Sequence, residues 1–255
     1  MAELTISVII SHYQQNQLLG QCLRSLACQL RTADEVIVLD DGSRNPPTID
    51  ELRQHLPLKA LRLIVNKTNS GGPAIPRNQG VQICTSSHAV FVDADDILLP
   101  HALLALSAIW VTKPMTIAYG DQICWGPKQR RPFLQLAMQT PAIDKACQSA
   151  LYEQLLMRGN GLFLSGTGGA TTHFKQHPFD PEQHWEDYDL WLRLAEAGLE
   201  FQHTGHIHTL YRLNAGSRSG SRAARHRGCQ GIQSQHFKHR PCWRWPLWFW
   251  KQRYL

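Results

Sequence analysis

Two aspartates two residues apart, Asp93-Ala94-Asp95, close an apolar run, Ala89–Val92, that reads as a buried strand. Alternation along an extended chain places both carboxylates on one side. Close carboxylates repel each other unless a cation stands beside them. Few, hard oxygen ligands suit Mg²⁺ or Mn²⁺ shared with substrate phosphates. An exposed acidic turn ahead of Pro100 would carry the same letters. Asp40-Asp41-Gly42-Ser43 ends a second such run, Glu35–Leu39, and alone is as readily a turn after a strand. The loop Asn66–Gly72 leads through Pro73 into a helical pattern. Gly71 and Gly72 let backbone approach a ligand, and the helix N-terminus favours anions. Arg77, one turn in, is a candidate phosphate partner, or else a solvated side chain. Glu186 and Asp187 stand at the start of another helical pattern, where the dipole favours a carboxylate whether or not it reacts.

The elements that must hold these residues alternate. Strand patterns cover Thr5–Ile10, Glu35–Leu39, Leu61–Val65 and Ala89–Val92. Leu18, Leu19, Cys22, Leu23, Leu26 and Leu30 form one stripe of a helix from about Gln15 to Leu30. Strands separated by helices imply a parallel sheet covered on both faces, an α/β fold. Ligands of such sheets bind beyond the carboxyl ends of the strands, where Asp40–Ser43, Asn66–Gly72 and Asp93–Asp96 all fall. Past Pro100 the alternation degrades. Ala102–Val111 reads as a helix and Asp121–Ala142 as loop. Trp185–Gly198 reads as a helix with Gly198 as its C-cap, followed by short strands at Glu200–His203 and Ile207–Arg212. No G-x-G-x-x-G follows the first strand and no G-x-x-x-x-G-K-[ST] occurs, so dehydrogenase-type and P-loop nucleotide sites are excluded.

Composition bounds the rest. The 255 residues are 43% hydrophobic and 18% charged, which excludes a collagen, a disordered chain and a coiled coil. The net charge of +6 is an uneven average: residues 216–255 hold nine Lys/Arg and no acid, leaving 17 basic against 20 acidic residues before them. The body is mildly acidic and the tail strongly basic, so the tail's charge concerns a partner of the tail. Seven cysteines form no C-x-x-C, and no basic-then-apolar leader opens the chain. Reduced thiols and a cytoplasmic location are expected. Thirteen histidines, with His203, His206 and His208 grouped, lack the company of a zinc site and are expected to be solvated or at a strand edge.

Taken in order, the segments carry a resemblance. Ser7–Gln14 (SVIISHYQ), Glu35–Ser43 (EVIVLDDGS), Asn66–Gly80 (N-x-x-N-S-G-G-P-A-x-x-R-N-x-G), Phe91–Pro100 (FVDADD-x-x-LP), Trp185–Leu194 (WEDYDLWLRL) and Tyr211–Ser219 (YRLN-x-GS-x-S) resemble the family 2 glycosyltransferases of GT-A fold. The resemblance spans about residues 4 to 219. It implies a nucleotide-sugar donor, a UDP-sugar in the first instance, bound by residues 1–100. Residues 101–215 would bind a glycan, polysaccharide or lipid-linked acceptor. Asp40 and Asp41 would meet the base, Ser11 and Tyr13 would lie by the nucleotide, and Asp93 would face ribose or metal. Asp95 would bind the divalent cation, Mn²⁺ or Mg²⁺. Asp187 is then the expected catalytic base of an inverting single displacement, beside Trp185 and Glu186. Apart from the resemblance, the glycine-rich Gly166–Gly169, with Thr167 and Thr171, is expected to line the acceptor pocket through Gly168 and Gly169, or else to be a flexible loop.

Three departures stand out: Ser11-His12 where the family has Pro-Thr, His177-Pro178 where it has a glycine, and Asn214 where it has a histidine. Two other readings compete. The basic tail, with Trp243, Trp245, Trp248, Phe249, Trp250 and Tyr254, could bind nucleic acid, although the acidic body and the absence of a known module speak against it. An inactive glycosyltransferase-like binder is opposed by intact Asp93, Asp95 and Asp187. The same tail suits peripheral attachment to an anionic membrane on the cytoplasmic face, or a flap packed on the body.

Overall fold

The computed structural model describes residues 3–126, 131–138, 148–213 and 222–236. Apolar β-branched runs pair in parallel to start the sheet: β1 (Ile6–His12) lies between β2 (Glu35–Asp40) and β4 (His88–Asp93), with β3 (Leu61–Val65) outside β2. Every residue of β2 is buried, as expected of a strand covered on both faces. α1 (Asn16–Ala27) covers one face with Leu19, Cys22, Leu23 and Leu26. α2 (Ile49–His55) opens with a capping box of Thr48 and Glu51. α3 (Ala74–Ile83) covers the other face, and Gly80 lies against Ile9 and Leu39.

Beyond β4 the sheet continues through the second half of the chain. After the two-residue β5 (Ile97–Leu98) and α4 (Ala102–Thr112) come β6 (Ile117–Trp125) and β7 (Phe133–Gln135). They are followed by α5 (Gln148–Arg158), β8 (Thr167–Ala170), α6 (Thr171–Gln176), α7 (Glu186–Glu196), β9 (Phe201–Arg212) and α8 (Arg222–His236). The strand order is β3-β2-β1-β4-β8-β6-β9-β5, with β7 beside β6. One mostly parallel sheet therefore spans the two expected halves. The antiparallel β8 stitches them together by pairing with both β4 and β6.

Several expectations need correction. The loop expected over Asp121–Ala142 contains the end of β6 and β7. The two short strands expected at Glu200–His203 and Ile207–Arg212 are one strand, irregular where it pairs with β6 near Asp121. His208 is fully buried rather than solvated, between the Gly166 carbonyl and the Thr204 hydroxyl. Burial, aided by neighbouring histidines, pushes its pKa down to about 4, so it is neutral. His203 meets Asp121 at 3.0 Å. Among the described residues no group of three or more His, Cys, Asp or Glu is placed to hold a metal ion. The basic segment also contains α8, while Trp243–Tyr254 lies outside the described residues. No helix among the described residues is long and apolar enough to cross a membrane.

Candidate active site

The register of the parallel strands brings the first site residues together. Ser11 is the cross-strand partner of Asp93, and His12 of Asp40. Strand ends that stop level with one another place β1, β2 and β4 tips along one edge, where a cavity of about 750 Å³ opens. Ser11, Tyr13, Asp41, Gly71, Gly72, Arg77, Asp93, Asp95, Trp185, Glu186 and Asp187 all line it.

Asp40 and Asp41 take different places. Asp40 is fully buried; it meets His12 Nδ1 at 2.7 Å and accepts the Ser43 N–H at 2.8 Å. It shapes the turn and is not in the cavity wall, so the cavity-lining acid of this pair is Asp41. Burial pushes the His12 pKa down against the pull of Asp40. Asp41 accepts hydrogen bonds from the Asn66 and Asn69 amides and from Ser70 N–H and Oγ. These bonds fold the Asn66–Gly72 loop back onto β2. Gly42 makes the approach possible: its φ is +75°, and a Cβ there would stand 2.5 Å from the Thr68 carbonyl carbon.

Arg77 is the central cation. It is buried, and its two amino groups each meet a carboxylate at 2.7 Å, Asp93 on one side and Glu186 on the other. Burial works against its charge, but Asp93 and Glu186 outweigh that and raise its pKa. One side chain of α3 thus ties β4 to the start of α7. Beside it, the Asn78 side chain donates to the Phe179 carbonyl and accepts its N–H, both at 2.8 Å, holding the segment that leads to α7.

Asp187 faces the cavity from the first turn of α7. Its oxygens accept from the Asn160 amide at 3.1 Å and from the Tyr188 N–H at 2.8 Å. Burial first, and then the neighbouring Glu186, raises its pKa to about 6. Arg77 and the two hydrogen bonds only partly oppose this. A carboxylate so poised can accept a proton near neutral pH.

The Asp93–Asp96 loop is anchored from two sides. Ser165 Oγ accepts from the Asp93 N–H and donates to Asp96. Arg212, at the end of β9, donates to the Asp95 carbonyl and to Gln21, and its guanidinium stacks over Trp125 at 4.2 Å. Its backbone N–H bonds Asp96. Burial, with Asp93 and Asp95 adding to it, holds the Asp96 carboxyl well above the usual range. Sequence reasoning gave no role to Asn160, Ser165 or Arg212. Arg212 was nonetheless visible in the closing motif. Gly168 and Gly169 are not brought to the cavity wall. They lie within β8, where a Cβ on Gly168 would stand 2.4 Å from the Ala89 carbonyl oxygen, so they serve sheet packing.

Comparison with known proteins adds the family. The model of Glycosyl transferase family 2 matches residues 7–174. A poly(ribitol-phosphate) beta-glucosyltransferase of Bacillus spizizenii is 35% identical over 102 residues, covering 39% of this chain and 16% of its own length. The Escherichia coli protein WfaP, a UDP-Glc:alpha-D-GlcNAc-diphosphoundecaprenol beta-1,3-glucosyltransferase, is 24% identical over 224 residues, covering 85% of this chain and 80% of its own. The crystal structure of S. aureus TarS 1-349 in complex with UDP-GlcNAc superposes with a TM-score of 0.65 at 18% identity, over 90% of this chain and 67% of that one. The chain spans only 16% of the length of the Bacillus relative. The ordered motifs, the shared sheet and the family match converge: this chain belongs to glycosyl transferase family 2 and has the GT-A fold.

Proposed function

We propose that the protein is an inverting glycosyltransferase that moves a sugar from a UDP-sugar to a hydroxyl of a glycan, polysaccharide or lipid-linked acceptor. The observation that carries this reading is Asp187, a carboxylate with a pKa near 6 in the wall of a cavity that is also lined by the strand tips. An acceptor hydroxyl is a poor nucleophile at neutral pH until a base takes its proton. Asp187 accepts that proton, its carboxylate oriented by Asn160 and Tyr188. Attack from this side expels the nucleoside diphosphate from the other face of the sugar, so the anomeric centre inverts. Asp41 and the Asn66–Gly72 loop form the nucleotide edge, with half-exposed Tyr13 and with Ser11 beside the base and ribose. Arg77 acts as a positioning group, holding Glu186 and Asp93 in register with Asp187.

The chemistry of Asp93 and Asp95 fits Mn²⁺ or Mg²⁺. Asp95 is half-buried in the cavity wall, and Asp93, though bonded to Arg77 through one oxygen, lies two residues away. Mg²⁺-type sites use one or two carboxylates plus substrate phosphates, so a full cage of protein ligands is not required. When bound, such a cation would neutralise charge on the leaving diphosphate. Arg212 and Ser165 keep the Asp95 and Asp93 backbone in place for this. Calorimetric titration with UDP tests the reading. Affinity is expected to rise at least ~10-fold on adding Mn²⁺, and Asp95→Asn is expected to lose that gain. Equal affinity in Mn²⁺ and in chelator would remove the metal, and no binding of UDP under either condition would remove the UDP-sugar as donor.

In the same reading the tail beyond α8 attaches the enzyme to an anionic membrane surface. The full chain is expected to float with anionic liposomes at low salt, and a chain ending at His236, which keeps α8, to stay in solution. Equal behaviour of the two chains would assign the tail elsewhere.

A further inference from the structure

We propose that Gly228 of α8 is a positioning residue for the transfer reaction: by seating the helix on the indole of Trp185, it fixes the start of α7, which carries Glu186 and Asp187 into the cavity. The inference rests on the glycosyl-transfer reading and deepens it. The start of α7 needs such a hold. Trp185 is its N-cap, with φ −110° and ψ 65°, and makes no side-chain capping bond. A helix start without a capping side chain is left to tertiary contacts to keep it from fraying. Arg77 of α3 holds Glu186, and the Asn160 amide holds Asp187. α8 holds Trp185.

Residues 228, 229, 232 and 236 recur at helical spacing on one face of α8, and all four are buried. Cys229 and Ile232 belong to the same core cluster as residues of α5 and α7. His236 Nε2 meets Asp189 of α7 at 2.9 Å, and the Gln183 amide donates to Gln235. The helix is thus fixed at its far end. At Gly228 its backbone meets the indole directly. A Cβ there would stand 2.3 Å from Cδ2 and Cε2 and 2.6 Å from Nε1 of Trp185, far inside an ordinary contact of about 3.5–4.0 Å. These atoms belong to a rigid ring, so a methyl group fits only if the ring or the helix moves. The same ring lines the cavity, and the Trp185 carbonyl accepts the Asp189 N–H at 3.0 Å. A shift of Trp185 is therefore a shift of the two acids that follow it. Gly231 supplies the contrast. A Cβ there would meet Gln183 Oε1 at 2.3 Å, the far end of a flexible side chain that can turn aside.

The test compares the native full chain with Gly228→Ala, Gly231→Ala, Trp185→Ala and the pair Gly228→Ala/Trp185→Ala. UDP release from UDP-glucose and UDP-N-acetylglucosamine gives kcat and KM. Carbon NMR of labelled aspartate carboxyls, assigned with Asp187→Asn, gives the Asp187 pKa without substrate. Gly228→Ala is expected to lower kcat at least ~10-fold, since misplacing a reacting group by about 1 Å costs up to ~10²-fold, with UDP affinity unchanged. It should also move the Asp187 pKa from about 6 toward the ordinary 3.8, because burial is the largest cause of the elevation. Gly231→Ala should match the native protein in both readings. Trp185→Ala removes the colliding ring, so adding Gly228→Ala to it should change neither reading further. That pair should fold even where Gly228→Ala alone does not. The proposal falls if Gly228→Ala keeps the native kcat and titration, if Gly231→Ala loses as much, or if the Gly228→Ala loss persists, in activity or folding, without the indole. If the native protein releases no UDP from either donor, the UDP-sugar as donor is what fails, and the titration alone decides the role of Gly228.

Discussion

Asp187→Asn is expected to lower turnover by ~10²-fold or more while leaving UDP-sugar affinity unchanged. The substitution keeps size and one acceptor oxygen but removes the basic group. The pH dependence carries a second signature. A carboxyl with a pKa near 6 must be ionised to accept a proton, so activity should fall as pH drops through about 6. An ordinary aspartate, at 3.8, would stay active well below that. The stability effect has the opposite sign. The folded value lies above the unfolded one, so the folded state binds the proton more tightly. Stability from this group is therefore present at low pH and is lost as pH rises from about 4 through 6. At pH 7 Asp187→Asn should stabilise the protein by on the order of 1 kcal/mol, because cavity solvent screens part of the repulsion. Rate profiles, thermal melts and proton NMR of the product check these points. Full turnover in the variant would remove Asp187 as base, and retained anomeric configuration would remove the single displacement.

Arg77→Met is expected to cost about 3 kcal/mol of stability, seen as a lower urea midpoint. Removing one member of a buried, hydrogen-bonded ion cluster leaves the others uncompensated, and such changes cost ~3–5 kcal/mol. The lower end applies because Asp93 retains 32% side-chain exposure and can turn to water, whereas Glu186 retains only 9%. Arg77→Lys keeps the charge but cannot reach both acids as the planar fork does, so it should restore only part of the loss. The arginine also holds the Asp187 pKa down, so its removal should move the acid limb of activity upward. A variant as stable as the native protein, with its acid limb unmoved, would contradict the role given to this cluster.

The parallel core was legible because burial on both faces demands uninterrupted apolar strands. Leu61–Val65 is the strand predicted, and β1, β2 and β4 run one or two residues past their predicted ends. Those extra residues, Ser11, His12, Asp40 and Asp93, are polar, and hydrophobic periodicity cannot see them. In the fold they are held by cross-strand register and by His12–Asp40 and Arg77–Asp93 contacts. The second half was less legible. β8 is Thr-Gly-Gly-Ala, whose letters suggest a loop; it is a strand through its pairing with β4 and β6, and Gly168 is required because a Cβ there would collide with the backbone of β4. β7 is exposed along its length and has no buried face to signal it.

What the sequence determined by itself were the candidates for chemistry, the acids at strand ends and at a helix start, because their types and order suffice to name them. Only the tertiary structure decided which of them share a cavity. It buried Asp40 within a turn, brought Asp41 to the wall, and spent Arg77 on two acids 16 and 109 residues away. It also seated a helix of the basic tail against Trp185. Such placements depend on contacts between residues distant in the chain. Local pattern holds no record of those, since it reports which face of an element is buried but not which element covers it.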